Sequence, residues 1–253
     1  MPLSRDQVSL WAHATHPVAC PLSETSVDAW VDRLQVATGG HVVDLGCGLG
    51  AWAGRLARRH PGIDVTAVDT SAVALAAARE AWPGSRVDWV HGDAVAWIEA
   101  HEAPVDAFLC SGSTHAFGGY RDALARLTSR LRPGGLLLVG EGFWTRAPAS
   151  AALDALHASA DDFLPLDETL GVAREQGYDV VHVDISTDDE WDAYEAAWCT
   201  ALEMRARTDR DLTDEDAQQL RELAHAHRLA YEEGYRGTLG YVTMLLRTPP
   251  EGR

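Results

Sequence analysis

The chain has 253 residues, 46% of them apolar, and its 38 acidic and 21 basic side chains give a net charge of −17 at pH 7. All 21 basic side chains are arginines, and the sequence has neither lysine nor asparagine. The absence of lysine excludes enzymes that form a Schiff base on a lysine, P-loop enzymes and protein kinases, which all need a lysine in the active site. The acidity argues against nucleic acids and anionic membranes, because both are bound through basic surfaces, and favours a small or neutral partner.

Short β-branched runs alternate with helical stretches from residue 41 onward. They predict strands at residues 41–45, 63–68, 87–90, 105–110 and 136–139. They predict helices at residues 49–60, 71–82, 94–102 and 120–131, with Pro133, Gly134 and Gly135 as a stop before the fifth strand. This alternation predicts a doubly wound α/β fold with a parallel sheet, whose ligand lies beyond the carboxyl ends of the strands.

The pattern after residue 139 is looser. It predicts helices near 148–160 and 167–176, a strand at 179–186, a helical stretch at 189–234 broken around 209–214, and a last strand at 239–247. Two late strands separated by a helical excursion of about 50 residues indicate a lid inserted into a core. We therefore predict a single domain, residues 1–253, in these parts: an N-terminal cap (1–37), a core (38–186 and 237–253) and a helical lid (187–236).

The acidity is concentrated in one segment. Residues 161–222 contain 19 acidic and 5 basic side chains, whereas residues 1–160 contain 16 and 12. Solvated helix faces explain such a run most simply, and an acidic lid that attracts a cationic ligand is the alternative.

The turn after the first strand is rich in glycine and leads directly into a helix. Asp44 is followed by Gly46, Gly48 and Gly50, which permit a tight turn and a close approach of ligand to backbone. With Ala51 the spacing also fits a nicotinamide-binding motif. A carboxylate at Asp44 would, however, repel a pyrophosphate and attract an ammonium or sulfonium group. We therefore expect a cationic ligand at this turn.

Two further acidic residues follow the next strands. Asp69 ends the second strand, 19 residues after Gly50, where a carboxylate can accept both hydroxyls of a ribose. Asp93 follows the third strand and is positioned to meet an adenine amino group, although an acid there is also a good helix N-cap.

These motifs, in this order over about residues 41–141, resemble the class I S-adenosylmethionine-dependent methyltransferases. The resemblance implies a Rossmann-like, seven-stranded sheet of order 3-2-1-4-5-7-6 with strand 7 antiparallel. It also implies S-adenosylmethionine as cofactor and S-adenosylhomocysteine as product, with the methionine moiety near Asp44, the ribose on Asp69 and the adenine near Asp93. The cofactor-binding residues predicted on this basis are Asp44, Gly46, Cys47, Gly48, Gly50, Asp69, Thr70, Asp93, Ala94, Cys110 and Ser111.

A narrower resemblance extends beyond these motifs. Segments at 16–24, 113–119, 140–144 and 190–195 are similar to a group of bacterial small-molecule methyltransferases. This implies methyl transfer to a small-molecule acceptor. Residues 196–236 match no branch whose acceptor is known, so the acceptor and the atom that is methylated stay open.

Methyl transfer from a sulfonium is an in-line displacement, which needs a general base only if the acceptor arrives protonated. The candidate catalytic bases are His115, after the fourth strand, and Glu141, after the fifth. A histidine has a suitable pKa near neutrality, whereas a glutamate needs burial to raise its own. A histidine at the start of a loop is equally often a structural residue.

A stripe of large side chains lies on one face of the predicted lid helix, at Trp191, Tyr194, Glu195, Trp198 and Leu202. Trp191 and Leu202 are expected to pack, but a carboxylate among aromatics needs a partner.

Two kinds of partner for Glu195 are open. One is an acceptor amine or cation enclosed by Trp144, Tyr194 and Trp198, which are then the substrate-binding residues. The other is an arginine of the chain itself, Arg236 or Arg146.

We predict no metal site, because the metal-dependent catechol-type branch uses an asparagine that this chain lacks, and His225 and His227 point apart on a helix. The four cysteines show no C-x-x-C spacing and are expected to be reduced thiols. With no leader-like or membrane-spanning apolar run, the expected location is cytoplasmic, without membrane partners. Two rival functions remain, a non-catalytic S-adenosylmethionine-binding module with a protein partner and a nicotinamide-dependent oxidoreductase.

Overall fold

The structure is a computed structural model that describes residues 3–251. The outermost residues of the predicted cap (1–2) and of the predicted core (252–253) lie outside this range. Within the described residues, no helix is long and apolar enough to cross a membrane.

Seven strands form one sheet, in the order β3-β2-β1-β4-β5-β7-β6. Their bounds are β1 (His41–Leu45), β2 (Asp64–Asp69), β3 (Val87–His91), β4 (Val105–Ser111), β5 (Leu131–Trp144), β6 (Asp179–Ile185) and β7 (Leu239–Arg247). Strand β7 pairs antiparallel with β5 and β6, and the other pairs are parallel. The fold class, the strand order and the antiparallel seventh strand are confirmed.

The fifth strand is longer than predicted. The expected stop at Pro133 and Gly134 lies within β5, because Leu131 already pairs with Val105 before the register shifts and Leu136 pairs with Ala107. The proline and glycines therefore form an irregularity in the strand, which needs no hydrogen bond from the proline nitrogen.

Ten α-helices lie within the described chain. Their bounds are α1 (Arg5–Ala12), α2 (Glu24–Arg33), α3 (Ala51–Arg59), α4 (Ala72–Ala81), α5 (Ala94–Ala100), α6 (Tyr120–Thr128), α7 (Ser150–Leu156), α8 (Leu166–Glu175), α9 (Asp188–Thr208) and α10 (Asp214–Leu229). A 3₁₀ helix, Thr114–Phe117, follows β4, and a π-helix, Ala230–Tyr235, continues α10.

The sheet is apolar on both faces, as a doubly wound fold requires. Along β4, Ala107 and Leu109 pack on one side with α2, α3, α4 and α7, while Phe108 and Cys110 pack on the other with α5, α6 and α8. The alternation follows from the two-residue period of a strand.

Helices α9 and α10 form an antiparallel pair that meets α1 in a separate apolar cluster. The first turn of each of these two helices contains three acidic residues. The helix macrodipole stabilises carboxylates at this N-terminal end. Six of the 19 acidic residues in 161–222 therefore lie at these two helix starts. The division into cap, core and lid stays a prediction.

Candidate active site

A cavity of about 250 Å³ opens at the carboxyl ends of β1, β2, β3 and β4. Ten of the sequence-predicted residues line it, namely Asp44, Gly46, Cys47, Gly48, Asp69, Thr70, Asp93, Ala94, Ser111 and His115. Residues of the acidic segment 161–222 do not line it. The acidity of that segment therefore does not act on this cavity by direct contact.

The glycine turn after β1 holds its shape for two different reasons. Gly46 has a φ of 75°, and a Cβ there would lie 2.5 Å from the Cβ of Ser113, so the turn can approach the loop after β4 only as glycine. Gly50 has a φ of 71° and does not line the cavity. A Cβ at Gly50 would lie 2.3 Å from the Trp89 ring, so Gly50 permits packing of α3 against β3, and its contact with the cofactor stays a prediction.

Asp44, the residue before the last in β1, has a carboxylate that is almost completely buried. Its side chain is 2% exposed, and its Oδ2 atom has no hydrogen-bond partner among the described residues. Burial raises the pKa of Asp44 to about 7, an effect that the Ala53 backbone N–H opposes and the nearby charge of Asp69 reinforces. A cation in the cavity would stabilise the ionised form and supply the missing partner.

Asp69 is held by the backbone at the end of β2. Its Oδ2 accepts a hydrogen bond from the Gly48 N–H at 2.7 Å, and its Oδ1 accepts one from the Ser71 N–H at 2.8 Å. Each oxygen keeps a second lone pair, so the fixed carboxylate can accept from two hydroxyls of a ribose.

Asp93 has the structural role that the sequence left open as an alternative. Its Oδ1 accepts a hydrogen bond from the Ala96 N–H at 2.9 Å, which caps α5, and the residue also lines the cavity with Ala94. The contact of these residues with adenine stays a prediction.

The residues after β4 form the opposite wall. Ser111 lines the cavity, and its Oγ lies 2.9 Å from the Tyr241 hydroxyl and 3.7 Å from the Cys20 Sγ. Cys110, a predicted cofactor residue, is fully buried behind this wall with its Sγ 3.3 Å from the Ser113 Oγ, so it does not reach the cavity. The exposed His115, on the 3₁₀ helix, does line it.

Glu141, the second candidate base, does not line the cavity, and its catalytic role stays a prediction. It lies within β5 and not after it, and its Oε2 accepts a hydrogen bond from the Thr114 hydroxyl at 2.6 Å. Desolvation raises the pKa of Glu141 to about 7, with the Thr114 hydrogen bond opposing this rise. Glu141 therefore supports the 3₁₀ helix that presents His115.

The predicted aromatic enclosure does not form in this structure. The Trp144 indole donates a hydrogen bond to the Ala160 carbonyl at 2.8 Å, whereas Trp198 stacks on His227 at 3.9 Å between centroids. Tyr194 packs edge-on to His16, beside the N-terminal cap. The stripe predicted on α9 is real, but its members face different neighbours.

Glu195 has partners other than those expected. It is 4% exposed, its Oε2 lies 2.5 Å from His227 Nε2, and its Oε1 accepts a hydrogen bond from the Tyr235 hydroxyl at 2.8 Å. Arg236 pairs instead with Asp192. The other expected partner, Arg146, donates to the Thr238 hydroxyl. Both oxygens of Glu195 are thus occupied within the chain.

Nine of the residues that line the cavity were not predicted from the sequence, namely Pro17, Val18, Ala19, Trp52, Val68, Gly92, Gly112, Ser113 and Ala116. Pro17, Val18 and Ala19 cover the cavity from the N-terminal cap, where Ala19 takes a left-handed φ of 53°. The pair His16-Pro17 was the available signal for this segment. Trp52, in the first turn of α3, also lines the cavity and has no sequence signal beyond its place after the glycine turn.

The described residues 3–251 contain no cluster of three or more His, Cys, Asp or Glu side chains that could hold a metal ion. The four cysteines are free and buried. The expectation of metal-independent chemistry stays a prediction.

An acidic, glycine-rich cavity at the carboxyl ends of a doubly wound sheet defines a nucleoside-cofactor-binding α/β protein. A family model described as a methyltransferase domain matches residues 42–135. The chain is 32% identical over 217 residues to the uncharacterized protein YjhP of Escherichia coli, a match that covers 83% of this chain and 85% of YjhP. The chain belongs to the S-adenosylmethionine-dependent methyltransferases.

Solved structures agree with this assignment. An S-adenosylmethionine-dependent methyltransferase of Thiobacillus denitrificans, in complex with S-adenosylhomocysteine, superposes with a TM-score of 0.83 at 30% identity, covering 97% of this chain and 99% of that one.

A shorter sequence match agrees with the same family. A trans-aconitate 2-methyltransferase of Paracidovorax citrulli is 41% identical over 108 residues, which cover 42% of this chain and 40% of that protein. The cofactor predicted from the sequence, S-adenosylmethionine, and the product S-adenosylhomocysteine are thereby confirmed. The unpartnered Asp44 oxygen and the fixed Asp69 carboxylate fit its ammonium and its ribose.

Proposed function

We propose that this methyltransferase acts on a small molecule whose accepting atom arrives protonated, a hydroxyl, a thiol or an acidic carbon, and that His115 takes the proton. The observation that supports this is the placement of the two candidate groups. His115 lines the cofactor cavity. Glu195, which would have favoured an amine or cation, has both oxygens occupied by His227 and Tyr235.

S-adenosylmethionine supplies an electrophilic methyl group bonded to a sulfonium. The chain has three tasks around it. Asp44 and Asp69 hold the amino-acid part and the ribose of the cofactor, the cap residues 17–19 cover the cavity and limit the entry of water, and His115 accepts the proton of the acceptor. The fixed alignment of the reactants supplies most of the catalysis in such a displacement.

The acceptor itself is not inherited from the relatives. The similarity to trans-aconitate 2-methyltransferase covers 40% of that enzyme, so it does not extend over a whole acceptor site. A panel of phenols, thiols, carbon acids and amines, with release of S-adenosylhomocysteine as the readout, identifies the class. Signal from amines alone would contradict the proposal, and a chelator is expected to leave the rate unchanged.

His115→Ala is expected to lower kcat on the best acceptor about 100-fold, because the proton then leaves without a general base. The affinity for S-adenosylhomocysteine is expected to change less than about twofold, since His115 is not a cofactor ligand in this proposal. Steady-state kinetics and calorimetry measure the two effects. His182→Ala, which removes a histidine from the edge strand β6, is the matched control. Equal kcat values for His115→Ala and the wild type would contradict the role of His115.

The binding of S-adenosylhomocysteine is expected to weaken below pH 7. Because the pKa of Asp44 is about 7 without a ligand, binding of the ammonium requires loss of a proton that the free enzyme holds at lower pH. Kd is therefore expected to be about eight times larger at pH 6 than at pH 7.5. Calorimetry at both pH values measures this, and Asp44→Asn is expected to lose the dependence. A wild-type Kd that is constant over this range would contradict the ammonium contact.

A further inference from the structure

The Trp52 indole is a buried hydrogen-bond donor without an acceptor. Trp52 lies in the first turn of α3, is 4% exposed and lines the cofactor cavity. Its Nε1 atom has no hydrogen-bond partner among the described residues. Buried polar groups are nearly always paired, so an unpaired one that borders a ligand cavity indicates a contact with the ligand.

The same cavity is lined by a residue with an unpaired hydrogen-bond acceptor, Asp44. Trp52 and Asp44 line the same cavity, and the hydrogen bond to the Asp44 carboxylate comes from Ala53, the residue next to Trp52. Asp44 Oδ2 is also unpartnered. One unpaired acceptor and one unpaired donor, in two residues that line one cavity, match the two charged groups of an α-amino acid, an ammonium and a carboxylate.

The cavity offers no arginine or lysine side chain to a carboxylate. None of its lining residues is an arginine, and the chain has no lysine. The remaining donors on this side are the backbone N–H groups at the start of α3, which favour an anion through the macrodipole. Burial raises the pKa of the neighbouring Cys47 thiol, which keeps that group neutral.

We propose that the Trp52 indole N–H donates a hydrogen bond to the carboxylate at the methionine end of the cofactor, while Asp44 binds the ammonium. Trp52 is then a specificity-determining residue that distinguishes the complete amino acid from a truncated one. The inference rests on the assigned cofactor and on the predicted position of the methionine moiety near Asp44.

The test compares two ligands and three forms of the enzyme by calorimetry. The ligands are S-adenosylhomocysteine and S-adenosyl-3-thiopropylamine, which is the same molecule without the carboxylate. Trp52→Phe keeps an aromatic ring and removes the N–H. It is expected to weaken S-adenosylhomocysteine binding about tenfold and to leave the binding of the amine unchanged.

Trp191→Phe is the matched control, because the Trp191 Nε1 is also buried without a partner but the residue is not in the cavity. It is expected to change neither affinity. An equal loss for both ligands in Trp52→Phe, no loss for either, or an equal loss in Trp191→Phe would overturn the inference.

A second measurement does not depend on the folding of a variant. The wild type is expected to bind S-adenosylhomocysteine at least about tenfold more tightly than the decarboxylated amine, because only the former has a group for the donors at α3. Equal affinities would overturn the carboxylate contact. Absence of binding by either ligand would instead overturn the cofactor assignment on which the inference rests.

Discussion

Asp44→Asn is expected to weaken S-adenosylhomocysteine binding about 100-fold or more, because the variant leaves the ammonium of the ligand in a buried site without its countercharge. The substitution keeps the shape of the side chain. Its effect should therefore be confined to ligands with an ammonium, and the affinity for 5′-methylthioadenosine, which lacks the amino acid, should stay within about twofold of the wild type. Calorimetry with both ligands measures this.

The same variant is expected to gain stability without ligand. Burial raises the pKa of Asp44 to about 7 from an unfolded value near 4, so the folded chain loses stability as the pH rises through this interval and the buried carboxylate ionises. A neutral amide avoids this cost at pH 8, and the melting temperature should rise by about 3 °C or more. A lower melting temperature together with unchanged ligand affinity would contradict both roles of Asp44.

Asp69→Ala is expected to weaken binding of S-adenosylhomocysteine and of 5′-methylthioadenosine by the same factor, about 30-fold to 100-fold. Two hydrogen bonds from the ribose to a charged acceptor are lost, and the glycine turn loses its tether from the Gly48 N–H. Calorimetry with the two ligands separates this pattern from that of Asp44→Asn.

Asp64→Ala is the matched control for Asp69→Ala. Asp64 begins the same strand, at the end away from the cavity, and its side chain is exposed. It is expected to change neither affinity. A loss confined to S-adenosylhomocysteine in Asp69→Ala would mean that Asp69 acts on the amino acid and not on the ribose.

The core of the fold could be predicted because each of its strands is indicated by a short local sequence pattern. Each parallel strand is a short apolar run, and the residue at which it ends fixes which side chain reaches the carboxyl edge. Asp44 and Asp69 were located in this way, since Asp69 is the last residue of β2 and Asp44 is the residue before the last of β1. Glu141 was misplaced because β5 continues to Trp144, so a residue expected after the strand lies within it.

The lid could not be predicted in the same way. Helical spacing correctly gave a shared face on α9, but it does not say which element covers each part of that face. Glu195 is bonded to His227, 32 residues further along the chain, and Trp198 stacks on the same ring. These contacts depend on how α9 and α10 pack, which periodicity does not determine.

Trp52 shows a further limit of sequence reasoning. A tryptophan in the first turn of a helix indicates packing, and this one does pack in the core. Its unpaired N–H becomes visible only when the positions of Asp44 and the cavity are known.

The most direct test is a crystal structure of the chain with S-adenosylhomocysteine. We expect the ligand in the cavity at the ends of β1, β2 and β4, with its ammonium on Asp44, its ribose on Asp69 and its carboxylate on the Trp52 indole. His115 should face the side of the sulfur from which the methyl group has left. A ligand bound at another part of the sheet, or with its amino acid turned away from Asp44, would contradict this account of the enzyme.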